Sequence, residues 1–145
     1  MKKIKYNKNK KKYGNKSRIN IKIMSDYCAD GIWWNGGAIT IYELPQSVHY
    51  LNKRIDNWQY TFEKFRLYNK NKFQSKVLEN SKLYKDWLNE GLLIAIEIRN
   101  KLGSKFEVEY FKEDTNKTIF IDKKLNLYLM DSSHLNKKYA WNFFR

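Results

Sequence analysis

Thirteen residues, SDYCADGIWWNGG at Ser25–Gly37, gather the carboxylates of Asp26 and Asp30, the thiol of Cys28, the phenol of Tyr27 and the paired indoles of Trp33 and Trp34. Nucleophilic catalysis by Cys28 would need a thiolate stabilised by a nearby cation or helix N-terminus, and a base. The only histidines are His49 and His134, and no sequence signature places either beside Cys28. A lone cysteine among aromatics reads instead as a small buried side chain. Acid–base use of Asp26 and Asp30 would need one pKa raised and the other kept low. Four positions apart in a loop, with Asp30-Gly31 a turn dipeptide, they read as residues that cap turns through nearby backbone amides.

Metal and nucleotide sites find no support. There is no CxxC, no HxxxH and no EF-hand loop, so no metal is expected. Neither GxGxxG nor GxxxxGK[ST] occurs, and a strand rather than a helix follows Gly36-Gly37, so no phosphate cradle is expected. No catalytic residue and no cofactor are assigned.

Recognition remains. In an extended stretch Trp33 and Trp34 point to opposite sides, so one enters the core while the other faces out. An exposed indole beside Tyr27 is a hot-spot arrangement for a protein partner, which makes Tyr27, Asp30, Trp33 and Trp34 the expected contact residues. Stacking on nucleic-acid bases would call for interleaved basic residues, and Ser25–Glu43 contains none.

The net charge of +14 suggests a polyanion partner until its distribution is read. Residues 1–22 carry ten Lys/Arg and no Asp/Glu, whereas the rest of the chain sets 19 Lys/Arg against 15 Asp/Glu. The excess belongs to a leader in which Lys2, Lys3, Lys5, Lys8, Lys10, Lys11, Lys12 and Lys16 form a basic arm, the alternative site, for nucleic acid. Lysines outnumber arginines 24 to 5, although arginine is the residue expected at bidentate phosphate or base contacts. Abundant Lys, Asn, Ile and Tyr also fit AT-rich coding. The leader has no apolar core of a secretory signal, no apolar run reaches membrane-spanning length, and one cysteine makes no internal disulfide; a cytoplasmic setting without membrane contact is expected.

The elements that position these residues follow from periodicity. Residues 1–16 read as a flexible arm and 17–145 as one domain. Ile19, Ile21 and Ile23 alternate with polar residues and Met24, which predicts a strand. AITIYEL at 38–44 predicts a second, ended by Pro45, with Ser47 an N-cap. Val48, Leu51, Ile55, Trp58, Phe62 and Phe65 recur every three or four residues, predicting a helix over 47–67 whose aromatic stripe is core. A second helix spans 76–102, lined by Leu83, Tyr84, Trp87, Leu88, Leu92, Ala95, Ile96, Ile98 and Leu102, with Gly91 marking a close approach and Gly103 a C′ stop. KFEVEYF, KTIFIDK and LNLYLMD predict three more strands. The order β-β-α-α-β-β-β gives an α+β fold, two helices packed on one face of a small, mostly antiparallel sheet. The aromatic, basic tail HLNKKYAWNFFR reads as docked on the body.

The pieces IKIMSDYCADGIW, YELPQS, a helix with Trp58, WLNEGLLIAIEIRNKLG and FEVEYF carry a resemblance. They resemble a family of small uncharacterised bacterial cytoplasmic proteins with a strand-DY-x₃-GIW opening, an LP-x-S helix start, an EG-x-x-LA helix and a V-x-Y strand. The matching residues are Asp26, Tyr27, Gly31, Ile32, Trp33, Leu44, Pro45, Ser47, Trp58, Glu90, Gly91, Ala95 and Tyr110. Some proteins of this look act as immunity proteins beside secreted toxins. The resemblance therefore implies a non-catalytic domain that binds a protein partner.

Overall fold

Alternation at Ile19–Ile23 builds an interior strand of the sheet whose isoleucines Ile21 and Ile23 enter the core. In the computed structural model, residues 4–6, 18–26, 29–69 and 82–130 are described, with the main chain alone for 4–6 and 65–69. The strands are β1 (Ile4–Tyr6), β2 (Ile19–Ile23), β3 (Ile32–Trp34), β4 (Gly37–Ile39), β5 (Phe106–Lys112), β6 (Lys117–Ile121) and β7 (Leu127–Met130). They form one sheet in the order β1-β7-β6-β5-β2-β3-β4. The helices α1 (Asn52–Asn69) and α2 (Lys82–Lys101) connect its two halves. The expected α+β architecture is present, with most neighbouring strands antiparallel.

Two neighbours are parallel. β2 runs alongside β5, with Ile21 opposite Val108 and Ile23 opposite Tyr110; the helical crossover between them is long enough to return the chain in the same direction. β1 is parallel to β7 and lies inside the segment read as an arm. The tail 131–145 and the other residues of 1–16 lie outside the described residues.

Two expected elements differ. β3 falls within the Ser25–Gly37 stretch, where periodicity predicts no strand. The turn itself is Asn35-Gly36, with φ of 47° and 89°, the two-residue type I′ geometry that suits a twisted hairpin. AITIYEL is strand only at its start. The Thr40 amide donates to Glu43 Oε2 at 2.8 Å, and Ile41–Glu43 wind into a 3₁₀ turn. A second 3₁₀ segment, Gln46–Leu51, leads into α1 with Pro45 at its N-cap, so Ser47 lies inside it.

α2 lies on the sheet and α1 packs against α2. Ile21, Ile23, Val108, Tyr110, Ile55, Trp58, Leu88, Ala95 and Ile98 share the core between them. Gly91 is where the layers come closest. A Cβ there would stand 2.6 Å from both Trp58 Cζ2 and Tyr110 Cε1, two ring atoms with little room to yield. Gly91→Ala gains about 1 kcal/mol of helix propensity, but overpacking costs about 1–3 kcal/mol. We expect a net loss, read as a lower urea midpoint with an unchanged m-value.

Gly103 does not take the left-handed C′ conformation, since the positive-φ glycines among the described residues are Gly31 and Gly36. The end of α2 is held instead by the buried Arg99 guanidinium, which donates to the carbonyls of Leu102 at 2.8 Å and Gly103 at 2.7 Å. It also donates to the carbonyl of Phe106 at the start of β5. One side chain thus satisfies orphan helix carbonyls and fixes the angle at which the chain enters the sheet.

The β6–β7 turn is organised by Asp122. Its carboxylate accepts from the amides of Lys124 at 2.9 Å and Asn126 at 2.8 Å, and from Tyr128 OH at 3.2 Å. Partial burial pushes this carboxyl up, but the hydrogen bonds outweigh it and hold it below the ordinary range. A depressed carboxyl contributes stability above its unfolded pKa and loses it as pH falls through the folded value. Asp122→Ala is therefore expected to cost about 1–2 kcal/mol at neutral pH. The gap to wild type should close on acidification, as read by urea denaturation across about pH 3 to 7.

Candidate functional site

The hairpin region expected to meet a partner is divided by the sheet. Trp33 faces away from the helices, is 7% exposed, and donates its Nε1 proton to the Met24 carbonyl at 2.8 Å. Trp34 faces the helices, half-buried at the edge of the core. Asp30 is exposed. Tyr27 and Cys28 lie outside the described residues. The flanking chain is pinned to α1: the Asp26 amide donates to Gln59 Oε1 at 3.3 Å, and Gln59 Nε2 returns a bond to the Asp26 carbonyl. Gly31, at φ 86°, lets the main chain pass over Trp58, where a Cβ would meet Cζ3 at 3.1 Å.

The indoles of the helices are fully engaged within the fold. Trp58 Nε1 donates to the Trp87 carbonyl at 3.0 Å, and Trp87 Nε1 donates to the Trp58 carbonyl at 2.9 Å. The rings stack with centroids 5.4 Å apart. Tyr110 OH donates to the Leu88 carbonyl at 2.8 Å. Each buried polar tip has a main-chain acceptor, so the aromatic stripe carries no unsatisfied donor.

Above this stack, the antiparallel helices form a charged seam that periodicity did not reveal. Arg54 donates to Glu90 through Nε at 2.9 Å and Nη2 at 2.5 Å, and to Glu97 through Nη1 at 3.4 Å. Tyr50 OH donates to Glu97 at 2.6 Å. Its bond to Glu90 raises the Arg54 pKa, and the bond to Glu97 raises that of Tyr50. Beside the seam opens a groove of about 270 Å³, lined by Trp58 and Trp87 and edged by Arg54, Leu83, Asp86 and Glu90. Leu83, expected on the buried face, is 62% exposed. It precedes Tyr84 by one position, about 100° round the helix, which was the available signal.

On the sheet face away from the helices, Lys22 Nζ approaches Glu109 Oε1 to 3.4 Å, with side chains 8% and 1% exposed. Neither carboxylate oxygen has a well-aligned hydrogen bond from a described residue, but Lys22 and Asn20 lie close enough to favour the charged form of Glu109. Burial raises this carboxyl and the Lys22 charge opposes the rise.

For chemistry, His49 bonds the Leu44 carbonyl at 2.8 Å and lies edge-on to Tyr42; His134 lies outside the described residues. Among the described residues no group of three or more His, Cys, Asp or Glu could hold a metal. No helix among them is long and apolar enough to cross a membrane. Of the basic arm, Lys5 sits in β1 at the register position of Tyr128. Lys2, Lys3, Lys8, Lys10, Lys11, Lys12 and Lys16 lie outside the described residues.

No curated protein and no solved structure matches the chain. A family model described as Serratia CdiI immunity protein-like matches residues 19–113, from the first residue of β2 to just past β5. That span holds the central strands, the hairpin, both helices and the seam between them, so the chain belongs to the Serratia CdiI immunity protein-like family.

Proposed function

We propose that this chain is an immunity protein, a cytoplasmic non-catalytic binder that neutralises a toxin by covering a surface the toxin needs. Membership of an immunity-protein-like family across residues 19–113 carries this reading. The way the fold uses its polar groups supports it: His49, Arg99, Trp58, Trp87 and Tyr110 all bond main-chain carbonyls of the fold. The hairpin offers the partner Asp30 and Trp34, with Tyr27 near them in sequence.

The test is a growth assay. The products of the genes that flank this one are expressed in a bacterial host, each alone and with the full chain. Growth arrest by one product alone and recovery with the chain is the expected result. Arrest that persists while the chain accumulates in folded form would overturn the reading.

A further inference from the structure

The chain's overall charge of +14 points toward an acidic partner, but the groove between α1 and α2 has the opposite local character. Among the described residues, Asp86 and Glu90 line the groove with one cation, Arg54, which is already shared between Glu90 and, further along the seam, Glu97. Lys82 and Lys85, at the start of α2, are exposed but do not line the groove. Its lining includes the small exposed parts of Trp58 and Trp87, and Leu83 supplies the exposed apolar wall. Among the described residues, the exposed large aliphatic side chains are Leu83 and Leu93, both on α2.

An apolar wall beside an acidic edge suits one kind of side chain. The methylene stem of Arg or Lys packs on Leu83 and the indole edges while its charged head reaches a carboxylate. We infer that this groove is the docking site for a basic, Arg- or Lys-bearing segment of the toxin, an inference that rests on the immunity reading above. Specificity follows from local charge, since a like-charged segment placed there would be repelled.

The experiment titrates the purified flanking-gene product that arrests growth into full-length chain carrying Leu83→Lys, Asp86→Lys or, as a remote control, Lys123→Glu on the exposed β6–β7 turn. Thermal midpoints confirm that each variant folds. Leu83→Lys and Asp86→Lys should weaken binding tenfold or more, with Asp86→Asn intermediate and Lys123→Glu within twofold of wild type. Wild-type affinity in both groove variants would overturn the inference, as would tighter binding by Asp86→Lys, the mark of an acidic partner. A wild-type dimer that Leu83→Lys converts to monomer would assign the groove to a second copy and also overturn it. Failure of the wild-type chain itself to bind the toxin removes the immunity reading, and this inference with it. That result is visible before any variant is measured.

Discussion

Trp58→Ala should lower the stability of the fold by about 3–5 kcal/mol. Trp58 is 3% exposed, stacks on Trp87, lies 6.3 Å from the Tyr110 ring, and fills the space that Gly31 and Gly91 leave open. Deleting a buried Trp side chain costs about 3–5 kcal/mol through lost transfer energy and the cavity left behind. The substitution also deletes the indole donor that reaches the Trp87 carbonyl. A domain of this size has about 5–15 kcal/mol in total, so the loss takes about a fifth of it or more and the variant should unfold at a clearly lower urea concentration. Trp58→Phe keeps most of the apolar area but loses the hydrogen bond, and should cost about 1–2 kcal/mol. Urea denaturation followed by far-UV circular dichroism reads both. Equal midpoints for Trp58→Ala and wild type would show that the helices do not depend on this ring.

The second large effect lies across the sheet. Lys22→Met leaves Glu109 fully buried without its counter-charge, and breaking such a pair from one side costs about 3–5 kcal/mol. Lys22→Met with Glu109→Leu should recover most of that loss, because an apolar pair of similar volume removes both desolvation penalties. The pH dependence has a definite sign. Burial raises the Glu109 carboxyl above its ordinary value. In the window between the two values the folded chain holds a proton that the unfolded chain has released, so stability falls as pH rises through it. Lys22→Met raises the carboxyl further, and its deficit should grow from acid toward neutral pH. A deficit independent of pH, or a double variant no better than the single, would refute the account of this pair.

Much of the core was legible because it is periodic. The stripe Val48, Leu51, Ile55, Trp58 and Phe62 is buried as its spacing requires, and Gly91 sits at the close approach that its place in a helix implied. Local chemistry hid the rest. Ile32–Trp34 is too short a run to announce a strand, although Asn35-Gly36 is a hairpin signal that places the turn one residue before Gly36-Gly37. Thr40 and Glu43 turned the end of AITIYEL into a 3₁₀ turn.

The pairings that matter most for the candidate sites cross long stretches of chain. Lys22 reads as the solvent side of an alternating strand until β2–β5 register sets it opposite Glu109. Arg54, Glu90 and Glu97 read as solvated helix positions until α1 and α2 run antiparallel. The expected exposed indole is not there: Trp33 is buried on the face away from the helices and Trp34 is half-buried against the core, because what covers each face of a sheet is a tertiary property. Net charge misled for a related reason. A sum over the chain is dominated by residues 1–22, whereas a binding surface responds to charges within about one Debye length.

The decisive measurement is isothermal titration of the flanking-gene product that arrests growth into the full-length protein. The account predicts a one-to-one complex with a Kd of about 10⁻⁸ M or tighter, in the range of specific protein–protein interfaces. No heat and no co-elution, with both proteins shown to be folded, would contradict it.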